Sequence, residues 1–110
     1  MKINISEILD SKSALFHSEG IKVYTLASKE LKKNKKVHLS FKGIENCSTQ
    51  FLNASIGKLY VKYPEDIVKE LLVVEDFAHI PFFDSKLNDV IDNARHYEEY
   101  NHNVTTAAFA

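Results

Sequence analysis

Residues that could do chemistry gather at Cys47-Ser48-Thr49, just ahead of a stretch with helical apolar spacing. A helix N-terminus can lower a thiol pKa. A nucleophile also needs a positioned base, and no His or Asp follows Cys47 at an informative spacing. Cys47 therefore reads as a small, half-buried residue. Ser48 and Thr49 carry hydroxyls suited to helix capping, where the side-chain oxygen accepts from an unpaired backbone N–H. The functional alternative at Thr49 or Ser48 is a phospho-acceptor, because phosphate at a helix start meets aligned N–H groups and a favourable dipole.

No other cluster offers a reaction. His17, His38, His79, His96 and His102 form no H-E-x-x-H motif and no Cys/His pair with zinc spacing. Glu99 and His102 have the E-x-x-H spacing of di-iron bundles, but no second such motif accompanies them. No metal and no cofactor are expected. Asp84, Asp89, Asp92, Glu98 and Glu99 lie on the polar face of an amphipathic pattern, where solvation is the default. A Gly-rich phosphate loop is absent from the sequence. With no acid, base and nucleophile set, the expectation is a protein that is not an enzyme and has no catalytic residue.

The basic run Lys32-Lys33-Asn34-Lys35-Lys36 reads as a solvated helix end. A net charge of -1 gives no reason to expect nucleic acid or an anionic membrane surface. Phe77, Phe82 and Phe83 around His79-Ile80-Pro81 would pack a loop onto a sheet edge or form a docking patch; packing is the expectation.

The elements that must position these residues follow from apolar periodicity. Ile3 and Ile5 alternate like a short strand, and Ala14–Phe16 is a candidate second strand of an N-terminal hairpin. A helix is predicted from Ser18, its candidate N-cap, with Val23, Ala27 and Leu31 on one face and Asn34 as its left-handed stop. Val37, Leu39 and Phe41 alternate as a strand, Gly43 permits a tight turn, and Ile44 re-enters the core. From Thr49 the period becomes helical through Leu52, Ile56, Leu59, Tyr60 and Tyr63, with Phe51 on the flank, and Pro64 ends it. PEDIVKELL is a short helical piece. Leu71–Val74 is a continuous apolar run, predicted as a strand buried on both faces and parallel to Val37–Phe41 in a βαβ unit. Pro81 is the predicted start of a final helix with Phe83, Leu87, Val90, Ile91, Ala94 and Tyr97 as its stripe.

A chain of 110 residues is one domain's worth. Residues 1–101 are expected to form it, with 102–110 as a frayed tail. The single cysteine rules out an internal disulfide and fits a reducing compartment. The N-terminus lacks the apolar core of a signal peptide, and no apolar run is long enough to span a bilayer. The expected location is cytoplasmic, with no membrane partner.

Val37–Tyr60, VHLSFKGIENCSTQFLNASIGKLY, resembles the STAS-like domain family of unknown function. Its marks are V-x-L-x-F-x-G-I, then S-[ST]-x-F-L and a helix. The likeness extends more loosely over Ser13–Glu75, and the family is distantly similar to STAS domains of bacterial anti-sigma factor antagonists. That resemblance implies an α/β fold: a mixed four- to five-stranded sheet with helices packed against it. It also implies a protein partner, kinase-like or sigma-regulating, that binds one state and releases another. Antagonists carry Asp-Ser-Ser/Thr-Gly at this helix start, with the serine phosphorylated. Here Ser48 stands at the acidic position, Thr49 at the phosphorylated one and Phe51 at the glycine, so two of four positions depart. The expected contact surface is Glu45, Asn46, Cys47, Gln50 and Phe51, with the Phe77–Phe83 loop as neighbour. The alternatives are a structural or oligomerising subunit, such as a homodimer or a part of a phage-defence assembly, and more remotely a small enzyme.

Overall fold

A computed structural model describes residues 1–96. Strand β1 (Lys2–Asn4) runs without a break into α1 (Ile5–Leu9), which Asp10 ends at φ 49°. Ile3 and Ile5 are both buried, but Ile5 already belongs to the helix. Helix α1 prevents the tight reversal that a hairpin needs. The next strand, β2 (Ser13–Ala14), therefore does not return along β1. It pairs in parallel with β4 (Asn46–Cys47), and Leu15 and Phe16 lead into α2 (His17–Lys32).

Phe16, rather than Ser18, is the residue flanking the start of α2. The carboxylate of Glu19 accepts from the backbone N–H of Phe16 and Leu15, at 3.1 and 3.2 Å, so an acid three residues on supplies the cap. Val23, Ala27 and Leu31 are buried as the spacing predicts. Asn34 takes φ 59° just beyond the helix, and its N–H bonds the Leu31 carbonyl.

Strand β3 (Val37–Ser40) lies between β1 and β5 (Leu72–Glu75), parallel to both, in a sheet ordered β1-β3-β5. Ile3 stands opposite Leu39, and Leu39 opposite Val74. The parallel pairing of β3 and β5 matches the βαβ expectation. The full sheet does not match a single mixed sheet of four or five strands. Among the described residues three strands form one sheet and two form another, and every pairing is parallel. The physical cause is that β2 and β4 are two residues each and bond to one another, while helices carry the chain back between β1, β3 and β5.

Strand β5 also departs from its prediction. Among the described residues it has one neighbour, β3, and all four of its residues are half-buried, so it stands at the edge of this sheet rather than as a strand covered on both faces. Its apolar run reflects Leu72 and Val74 packing on the core from one side.

The helix after β4 is continuous over residues 49–62 but changes pitch. It is α-helical in α3 (Thr49–Leu52), a π-helix over Asn53–Gly57, and α-helical again in α4 (Lys58–Lys62). Helix α5 (Glu65–Leu71) follows Pro64 and feeds β5 directly. Helix α6 (Phe83–Arg95) begins two residues later than Pro81, because Phe82 adopts a left-handed φ of 58° that no helix can contain. Tyr97, the Glu98 and Glu99 carboxylates, the Glu99–His102 spacing and the 102–110 tail lie outside the described residues.

The core joins the layers through aromatic edges. Phe41 meets Phe51 at a centroid distance of 6.4 Å and Phe83 at 4.8 Å, both edge to face. Phe77 stacks on Phe83 at 4.7 Å. Two of the three aromatics of that loop thus pack inward, while Phe82 is 77% exposed.

Candidate functional site

The segment from Phe41 to Ser48 connects β3 to the helix, and four parts of the chain hold it in place. The Ser6 hydroxyl in α1 donates to the Lys42 carbonyl at 3.0 Å. Glu45 N–H donates to the Lys12 carbonyl at 2.7 Å. His79 Nε2 lies 2.7 Å from the Ile44 carbonyl, which can only accept, so this nitrogen carries the hydrogen. Lys86 Nζ on α6 donates to the Cys47 carbonyl at 3.0 Å. Within the segment, Gly43 at φ 85° makes the turn that returns Ile44 to the core.

Ser48 then sets the start of the helix. Its oxygen accepts from Phe51 N–H at 3.0 Å, and its hydroxyl donates to the Leu15 carbonyl at 2.6 Å. Its own N–H donates to the Ala14 carbonyl at 3.0 Å. One hydroxyl therefore caps the 49–62 helix and ties it to the entry of α2. Thr49, the next residue, is exposed, and no described residue hydrogen-bonds its hydroxyl. Gln50 is exposed as well.

The residues expected to form the contact surface divide by burial. Glu45, Asn46 and Gln50 face solvent. Cys47 and Phe51 face the core, at 3% and 0% exposure, so the flank position read for Phe51 is in fact interior. Phe51 lies one turn on from Ser48, and its ring meets Phe41 edge to face in the core. Burial pushes the Cys47 thiol up to about 12, against the opposing pull of the Lys86 ammonium. Cys47 is a neutral thiol at physiological pH, although it sits beside a helix start.

Sequence reasoning placed the Phe77–Phe83 loop beside this turn, and His79 and Phe83 do meet it. It missed Leu15 and Lys86, whose contacts to Ser48 and Cys47 span 33 and 39 residues. No local pattern marks either one. The link between Ser40 and Asp76 across the ends of β3 and β5, at 2.6 Å, was equally silent.

The remaining candidates stay apart from this site. Asp84, Asp89 and Asp92 are exposed along α6, and the Asp92 carboxylate lies 3.9 Å from Arg95. Lys32, Lys33, Lys35 and Lys36 are exposed at the far end of α2. Among the described residues, no three His, Cys, Asp or Glu side chains come together in a way that could hold a metal ion. No helix among them is long and apolar enough to cross a membrane.

No curated protein and no solved structure matches the chain. A family model described as a STAS-like domain of unknown function matches residues 19–78, more than half of the 110. The matched span runs from the first turn of α2 past the end of β5. It contains the pinned turn, Ser48, Thr49 and the whole 49–62 helix, and leaves β1, α1, β2 and α6 as flanking parts. The chain therefore belongs to the family of STAS-like domains of unknown function.

Proposed function

We propose that this domain is a non-enzymatic, protein-binding regulatory module whose contact surface centres on Thr49, with Glu45, Asn46 and Gln50 around it. The observation that carries this reading is the division of labour between two adjacent hydroxyls. Ser48 is engaged as donor and acceptor, while Thr49 is exposed at the first helical position. Phosphoryl transfer from ATP to Thr49 Oγ1 would add roughly two negative charges. The helix start there favours an anion. A kinase-like or sigma-regulating partner that docks on the neutral surface would be released by that charge. Cys47 and Phe51 support this surface from below rather than touching the partner.

The test compares wild type, Thr49→Ala and Thr49→Glu by affinity capture from the native host. Thr49→Ala is expected to retain the wild-type partner and Thr49→Glu to lose it. Identical partners for all three would remove the switch and leave a constitutive binding module.

A further inference from the structure

A second surface begins one turn along from Thr49. Two close approaches create it. A Cβ added at Gly20 would lie 2.6 Å from the Ala54 Cβ and from the Phe51 carbonyl oxygen, so α2 packs directly on the π-helix backbone. A Cβ at Gly57 would lie 3.0 Å from a Val90 methyl, so α6 closes on the other side. Between them Ala54 and Gly57 project almost nothing outward, and a groove of about 480 Å³ remains between α2 and α6. Ile21, Ala54, Gly57, Val61 and Ala94 form its apolar floor and walls. The floor is the π-helix itself, a widened turn that recurs at functional positions in helices.

Two lysines stand on the rim. Lys58 and Lys62 line the groove beside His17, and among the described residues no carboxylate lines it. Glu65, on the adjoining surface, is held by Lys69 at 2.8 Å and by Arg95 at 3.2 Å. An apolar trough edged by lysines is complementary to an amphipathic helix with small apolar residues on one face and acids flanking them. We propose that the groove between α2 and α6 docks an acidic amphipathic helical segment of a protein partner. This rests on the reading of the domain as a protein-binding module and extends its surface from Thr49 along the 49–62 helix. It does not depend on phosphorylation.

The probe is a synthetic helix about four turns long, with Leu and Ala on one face and Glu flanking them, set against the same peptide with Lys in place of Glu. Amide chemical shifts of the full chain are followed during titration. The acidic peptide is expected to shift Ile21, Ala54, Gly57 and Val61 saturably, and the basic peptide to leave them unmoved. Lys62→Glu reverses an exposed rim charge and Asn93→Trp fills the trough from an exposed position; each is expected to weaken binding by about tenfold or more. Thr49→Glu, which tests the switch, is expected to leave this binding within about twofold, so the two proposals fail separately. Equal response to both peptides, or no shifts at these residues, would overturn the proposal. Concentration-dependent shifts without peptide would place a second copy in the groove and overturn it too.

Discussion

The Ser48 hydroxyl donates to the Leu15 carbonyl at 2.6 Å while accepting from the Phe51 N–H, and so joins the starts of two helices through one oxygen. Ser48→Ala removes both bonds and leaves a backbone N–H and a carbonyl without them. The expected loss is about 1–3 kcal/mol. Thr49→Ala removes an exposed hydroxyl and is expected to change stability by less than about 0.5 kcal/mol. Urea unfolding of the two variants side by side checks the contrast.

Helix contact at Gly20 leaves no room for a side chain. Gly20→Ala places its methyl 2.6 Å from both the Ala54 Cβ and the Phe51 carbonyl oxygen. The gain in helix propensity, about 1 kcal/mol, is smaller than the cost of separating two packed backbones. A net loss of about 1–3 kcal/mol is expected. A thermal melt measures it, and a rise in midpoint would show that α2 can slide without penalty.

Cys47 gives a pH dependence with a definite sign. Its folded thiol lies near 12 and the ordinary value is 9.0. Between those values the unfolded chain releases a proton that the folded chain keeps, so this contribution is full below pH 9 and falls as pH rises above it. The slope approaches at most about 1.4 kcal/mol per pH unit. Cys47→Ala is expected to flatten stability between pH 9 and 10.5 relative to wild type. Native Cys47 should also react with a thiol reagent at pH 8 only as fast as the chain opens, and at an ordinary rate in denaturant.

Lys86 anchors the turn from outside the family-matched span. Lys86→Met keeps much of the apolar stem but loses the bond to the Cys47 carbonyl. A cost of about 1 kcal/mol is expected. Amide exchange should quicken at Ser48 and Phe51 more than in β3. Uniform acceleration across the domain would mean that the bond supports the whole fold rather than this turn.

Local periodicity carried much of the fold into view. Val37, Leu39 and Phe41, read from their alternation, and Leu52, Ile56 and Leu59, read from their helical spacing, are all buried. Strand partners were less legible. The β2 pairing depends on α1, a five-residue helix whose single buried side chain, Ile5, leaves no period to detect. At β5 an apolar run of four could not distinguish an edge strand from a central one. The π-helix was invisible, since it changes pitch without changing the apolar positions. At the candidate site the hydroxyls were legible because capping is a local arrangement. Their different engagement was not, because Leu15 lies 33 residues from Ser48.

The most direct measurement is site-resolved mass spectrometry of the chain isolated from its native host with the partner kinase active. The expected result is a phosphorylated fraction with the phosphate on Thr49 and none on Ser48. Phosphate on Ser48, or its absence from both residues, would contradict a switch built on the exposed hydroxyl.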